Sequence, residues 1–304
     1  MRGLHEKSLG GVRSGCGDQR ICASRRWVDR NWLWPEYWQA GGSAAILSML
    51  NTAQALTSPK RHVQAIFDAL ANEYVEQRET QLSFVAQKRI VLNMLSGSCG
   101  SVLEVGCGPG TMFGDFLAAG FTQVHGIDVS PEMIRQARQR IAGHPLRDRC
   151  DLRIADVEQL PYGNESFDAV VAMGVLEYLP TYSRALREIR RVLRRGGRVV
   201  LTVPNRASPY HLARSAYFGL RRLLGVPRKA KFAPNPCTPW SLDGQLTAAN
   251  MRKVANTGCN FILFPLAEFA PRLSDALNSR LTPLSATPLA PLLGTQYIVK
   301  AVRP

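Results

Sequence analysis

A run of glycines and three carboxylates mark where this sequence could do chemistry. Gly106-Cys107-Gly108-Pro109-Gly110 follows Val102-Leu103-Glu104-Val105, so a short apolar, β-branched run breaks into three glycines spaced two apart. The run reads as a buried parallel strand. The glycines form a turn whose backbone a ligand can approach closely, because no Cβ stands in the way. Met112, Phe113, Phe116 and Leu117 then recur at helical spacing, giving strand, glycine turn, helix. The dinucleotide pattern Gly-x-Gly-x-x-Gly would need a glycine where the chain has Thr111, and no Gly-Lys-Ser/Thr follows to make a phosphate loop.

Asp128 closes a second apolar run in Gly126-Ile127-Asp128-Val129-Ser130, eighteen residues after Gly110, which suits one helix and one strand between them. A carboxylate at the carboxyl end of the neighbouring strand sits where a ribose would lie, and it accepts both ribose hydroxyls. Asp156, in Ile154-Ala155-Asp156-Val157, follows a third run. There it could accept an adenine amino group while Val157 packs on the ring. Together the spacings point to an adenosine with a free ribose diol.

The elements that must hold these residues alternate in the manner of a parallel α/β sheet. Val63, Ile66, Phe67, Leu70 and Tyr74 repeat at three and four from Pro59, and Phe84, Ile90, Val91 and Met94 suggest a second helix. Strands are expected at 101–105, 124–127, 152–154, 167–173, 198–203, 260–264 and 295–302. A helix over 130–141 starts with Ser130 as its cap and Pro131 at its first position. Further helices are expected at 184–193, stopped by Gly196-Gly197, and at 210–224 and 246–257. The insertion after the fifth strand, 207 to about 245, is longer than a crossover needs, and it is expected to cover the active-site edge as a lid. In it Leu212, Tyr217, Phe218, Leu220, Leu223 and Leu224 offer an apolar side, and Arg214, Arg221 and Arg222 a basic one. Such a helix suits a lipophilic acceptor bearing an acidic group, or an anionic membrane surface.

Over the whole chain the formal charge is +15, and from 181 to 230 there are thirteen Arg and Lys against one acid, Glu188. Such a stretch attracts anions: nucleic acid, acidic headgroups or an acidic substrate. Seven irregularly spaced cysteines without a Cys-x-x-Cys argue against a disulfide framework or a zinc cluster, so a reducing cytoplasm is the expected compartment. No apolar run reaches bilayer-spanning length. Residues 1–58 differ in character: Gly, Ser and Arg dominate the start, and 27–38 holds four of the five tryptophans. They are expected to be a disordered leader, with Met49 as an alternative start, before a single domain over 59–304.

These segments resemble the class I S-adenosylmethionine-dependent methyltransferases, and among them the small-molecule enzymes that include ubiquinone and menaquinone methyltransferases. The resemblance rests on 102–110, 126–130, 156–162, 167–180 and 186–203, where Leu193-Arg194-Arg195-Gly196-Gly197 is similar to the family's Leu-Lys-Pro-Gly-Gly turn with Arg195 in place of proline. It implies a doubly wound, Rossmann-like sheet of seven strands in the order 3-2-1-4-5-7-6, the last antiparallel, with S-adenosyl-L-methionine as cofactor. By the same resemblance Glu104, Gly106 and Gly108 surround the methionine half, and Cys107 and Gly110 of the same turn also bind the cofactor. Asp128 holds the ribose, Val129 flanks the adenine, Asp156 and Val157 hold its edge, and Met173 lines the sulfonium side. Methyl transfer is an in-line displacement that needs alignment and exclusion of water more than a fixed catalytic group. Glu177, Tyr178 and His211 are the candidates for moving a proton, beside Tyr210 at the mouth of the site. Gly174 and Tyr178 stand where quinone O-methyltransferases carry an acid and a His, so no metal site is expected. The acceptor is expected to be a small, lipophilic or aromatic molecule methylated on oxygen, carbon or nitrogen. Nucleic acid is the lesser alternative, because no Asn-Pro-Pro-Tyr-type motif follows the fourth strand, and a non-catalytic cofactor-binding partner protein is another.

Overall fold

The computed structural model describes residues 59–80, 82–144, 147–225 and 235–304, so the expected leader lies outside the described residues. Among the described residues two helices, α1 (Pro59–Thr80) and α2 (Leu82–Leu95), precede the first strand. Then β1 (Gly100–Val105), α3 (Phe113–Ala118), β2 (Phe121–Asp128), α4 (Pro131–Ala142), β3 (Cys150–Ile154), β4 (Phe167–Met173), α5 (Ser183–Val192) and β5 (Leu193–Pro204) alternate. The chain continues through α6 (Pro209–Leu223), α7 (Pro239–Ala248), β6 (Arg252–Cys259), the short helices α8 (Leu266–Phe269), α9 (Pro271–Leu281) and α10 (Ala290–Leu293), and β7 (Gln296–Val302).

The seven strands form one sheet in the order β3-β2-β1-β4-β5-β7-β6. Strands β1 to β5 pair in parallel, and β7 runs antiparallel to both β5 and β6. Both faces are covered, which is why the central strands are continuous apolar runs. On one face Val91 and Leu95 of α2, Phe113 and Phe116 of α3 and Ile134 of α4 pack against Val102 and Val171. On the other, Leu186 and Ile189 of α5 and Leu242 and Leu246 of α7 pack against Leu103, Val170 and Val199. Strand order reverses between β1 and β4, and the crevice at the carboxyl ends of the strands opens there.

Two expectations need correction. The helix at 246–257 and strand at 260–264 are instead α7 and β6, shifted toward the N-terminus, and 260–264 is irregular. Thr238 caps α7, accepting the Ser241 N–H at 3.3 Å, with Pro239 in the first turn. β6 is an edge strand whose first five residues are exposed, so no alternation announces it. Second, Gly196-Gly197 does not stop the helix: α5 ends at Val192, and the glycines bend β5 between the Leu193–Phe167 and Arg198–Ala169 pairs. Helix α6 buries only Tyr210 and lends no residue to the pocket described below.

Candidate functional site

The glycine turn is built by its own amides. Cys107 N–H donates to Ile127 O at 2.9 Å, Gly110 N–H to Cys107 O at 3.0 Å, and Gly108 N–H to Asp128 Oδ2 at 2.9 Å. Gly106 and Gly108 have φ of +66° and +52°, which L side chains rarely adopt. A Cβ on Gly106 would stand 2.3 Å from Val175 Cγ2, whereas one on Gly108 would meet only Tyr74 Cε1, at 3.7 Å, and Met133 Sδ. The turn therefore leaves backbone against open space at Gly108, which is the cradle a close-lying ligand needs.

Around that backbone lies a cavity of about 750 Å³, counted out to its open mouth. Its floor comes from the carboxyl ends of four strands: Val105 and Gly106, Ile127 to Val129, Ala155 to Val157, and Met173 to Val175. Its cover is α1, which contributes Lys60, Val63, Phe67 and Tyr74, while Tyr178 and Leu179 close the far side. The Phe67 and Tyr178 rings meet edge to face at 5.1 Å. Polar ties hold α1 down, two of them beside the cavity. Lys60 Nζ pairs with both Asp156 Oδ2 and Glu158 Oε2. Ser130 Oγ donates to Asp68 Oδ1 while accepting the Met133 N–H at 3.1 Å as the cap of α4.

Seven of the expected cofactor residues line this cavity: Gly106, Gly108, Asp128, Val129, Asp156, Val157 and Met173. Asp128 is 9% exposed, and its second oxygen accepts Ser130 N–H at 2.9 Å. Burial pushes its carboxyl up to about 6 against the opposing pull of those two amides. Glu104, Cys107 and Gly110 do not reach the wall. Glu104 points from β1 into the interior, where its Oε2 has no hydrogen-bond partner among the described residues and burial raises it well above the usual carboxylate range. The Cys107 thiol is buried, which raises it too, and its sulfur would touch a Cβ placed on Gly126. Gly110 lies under the Phe113 ring.

Of the three proton-handling candidates only Tyr178 faces the cavity. Leu176–Tyr178 is a 3-10 turn, so successive side chains point about 120° apart. Tyr178 turns to the pocket, and Glu177, 1% exposed, turns to the interior. His211 sits in the first turn of α6, edge-on to Tyr210 at 5.2 Å and away from the pocket. Burial and Arg214 hold it down to about 4. The residues that sequence reasoning passed over are Lys60, Phe67 and Tyr74, read there only as helix. Their signal was the spacing of 60, 63, 67 and 74, which puts all four on one stripe of α1.

The bare Gly108 backbone and the Asp128 carboxylate at the end of β2 together fit an adenosine-bearing cofactor. Residues 103–201 match the model of the methyltransferase domain family. The chain is 39% identical over 102 residues to a phosphatidylethanolamine N-methyltransferase of Cereibacter sphaeroides, covering 34% of this chain and 49% of that protein. It is 33% identical over 145 residues to a ubiquinone biosynthesis O-methyltransferase of Xanthomonas oryzae, covering 46% and 59%. Magnesium protoporphyrin IX methyltransferase of Synechocystis, solved with bound S-adenosylhomocysteine, superposes with a TM-score of 0.54 at 17% identity, covering 81% of this chain and 100% of that one. The chain spans between 29% and 64% of the length of the curated relatives compared. In sheet order, glycine turn and matched segment the chain is similar to the class I S-adenosylmethionine-dependent methyltransferases.

Proposed function

We propose that the protein transfers the methyl group of S-adenosylmethionine to a small, lipophilic or aromatic acceptor. The observation that carries this reading is the composition of one cavity. Its strand-end floor offers Asp128 and bare glycine backbone, while Val63, Phe67, Tyr74, Val175, Tyr178 and Leu179 form an apolar, aromatic wall beside Met173. When bound, the cofactor supplies a methyl group already activated on a sulfonium. The chain's own work is alignment and exclusion of water. Asp128 accepts the ribose hydroxyls with lone pairs left over from its two amide bonds. Val129 and Val157 flank the adenine, and Asp156 receives its edge once Lys60 yields. Tyr178 is the protic side chain placed to orient an acceptor or relay its proton, and α1 shuts the site from above. The names of the relatives, which act on quinones and phospholipids, support a lipophilic acceptor.

Incubating the protein with the cofactor and a panel of quinols, phenols and lipids tests this. A product heavier by one CH2 unit, lost in Asp128→Ala, is the expected result. Cofactor binding with no product across the panel would favour a non-catalytic binding protein. The nucleic-acid alternative loses ground because three of the arginines that suggested it are spent on structure. Arg191 pairs with Glu188 and Arg194 with Asp168, while Arg198 binds Ser96 O and Ser98 Oγ. Label transfer to tRNA or rRNA would restore it.

A further inference from the structure

The cover helix α1 and the Asp128 carboxylate meet at one residue. Ser130, between β2 and α4, is fully buried. Its hydroxyl donates to Asp68 Oδ1 of α1 at 2.5 Å, and its N–H donates to Asp128 Oδ1 at 2.9 Å. The side chain thus reaches one carboxylate and the main chain the other. The same Asp68 oxygen accepts the Glu132 N–H at 3.4 Å, and one turn further along both helices Gln136 Nε2 donates to Asn72 Oδ1 at 2.9 Å. Both pairs are spaced by four, so one polar stripe of α1 is zipped to the first turns of α4. Phe67, the residue before Asp68, faces the cavity. Holding Asp68 therefore holds the aromatic part of the cover, and the same serine holds Asp128 beneath it.

We propose that Asp68 is a positioning residue for the cofactor, setting the seat of α1 and the aim of Asp128 together through Ser130. The ligand's identity rests on the methyl-transfer reading, whereas the link between the two carboxylates rests on the hydrogen bonds themselves. Carboxylates that share a serine also feel one another. Burial raises the Asp128 carboxyl most, and the charge of Asp68 raises it further, against the pull of the Ser130, Gly108 and Val129 amides. The other acids facing Asp128 are Glu104 on β1 and Cys107 in the glycine turn, and burial holds both toward their protonated forms. At the end of β3, Asp156 is paired with Lys60 of α1, and on α4 Glu132 is paired with Arg135. Asp68 is thus the charged group of the cover that acts on Asp128.

Calorimetric titration with S-adenosylhomocysteine from about pH 5 to about pH 8 tests this in two variants. Asp68→Ala removes both tie and charge. At the upper end it should bind about tenfold more weakly than the native chain, the worth of one hydrogen bond to a charged group. Asp68→Asn keeps an acceptor for Ser130 and loses only the charge. It should recover most of that affinity at the upper end. At the lower end it should bind severalfold more tightly than the native chain, because Asp128 then ionises more readily. A residue that only props the helix would change stability in urea without moving the midpoint of the pH profile. Far-UV circular dichroism serves as the fold control. An unmoved midpoint in Asp68→Asn, or native affinity in Asp68→Ala, would overturn the proposal. A native chain that does not bind S-adenosylhomocysteine would strike the methyl-transfer reading alone, and the link is then read without ligand. In urea unfolding at about pH 8, the effects of Asp68→Asn and Asp128→Asn should be non-additive, and additive effects would overturn the link.

Discussion

At Asp128 two amides already hold the carboxylate oxygens, so on the proposed reading the group is aimed at a ribose diol before any ligand arrives. Pre-aiming has an electrostatic cost. Burial raises the folded carboxyl from its ordinary 3.8 to about 6, so the fold binds this proton more tightly than the unfolded chain does. The resulting stability is present below pH 3.8 and is lost as pH rises through about 6. Binding has the opposite sign, because only the ionised form accepts both hydroxyls. Calorimetric affinity for S-adenosylhomocysteine should climb about tenfold per pH unit up to about pH 6 and then level off. Asp128→Ala should weaken it about a hundredfold, the worth of two charge-assisted hydrogen bonds. The glycines make a second, paired test. Gly106→Ala combines φ +66° with a 2.3 Å approach to Val175, and should cost about 2 kcal/mol or more in urea unfolding. Gly108→Ala meets nothing nearer than 3.7 Å and should cost about 1–2 kcal/mol for its backbone alone. Its methyl enters the cavity, so cofactor affinity should fall by more than stability does.

At the scale of elements, the turn from α5 into β5 is pinned by a residue from the far end of the chain. Arg303 Nη1 donates to Arg190 O, Arg191 O and Leu193 O at 3.0, 3.2 and 2.5 Å, and Nη2 to Glu165 Oε1 at 2.7 Å. A guanidinium there satisfies the last carbonyls of α5 and sits favourably at the negative end of its dipole. Arg303→Ala should lower unfolding free energy by about 1–3 kcal/mol, and Arg303→Lys should recover little, because an ammonium lacks the fork that spans four acceptors. Legibility in the sequence follows the same physical lines. Strands covered on both faces, 167–173 above all, announce themselves as apolar runs, and Asp128 and Asp156 are placed by the spacing of those runs. β6 is hidden because one edge and most of its length meet water. The cover of the site is hidden for another reason: Phe67 and Tyr74 read as ordinary helix core, and only their spacing with Lys60 shows that the stripe lies over a cavity. Glu177 misleads because one step in a 3-10 turn separates a pocket residue from an interior one.

Across the whole molecule, the cofactor reading makes a thermodynamic claim that no local contact makes alone. The cavity is walled by the carboxyl ends of four strands and covered by α1, so a ligand in it touches elements from residue 60 to residue 179. A ligand bound there holds together parts of the chain that unfolding would separate, and it stabilises the native state by mass action. The Lys60 pair with Asp156 and Glu158 is part-exposed, so loosening it to free Asp156 costs little. S-adenosylhomocysteine at about a hundred times its dissociation constant should add about 2.7 kcal/mol. For a domain of this size that is a rise in Tm of about 5–10 °C in a thermal scan. NAD should leave Tm unchanged, because the chain has Thr111 where the dinucleotide turn needs its last glycine. In Asp128→Ala the shift with S-adenosylhomocysteine should collapse, while the ligand-free Tm stays within a few degrees of the native value or rises, because the variant removes a buried acid along with its strain. An equal shift with NAD, or a full shift in the variant, would show that the cavity does not recognise adenosine through its ribose.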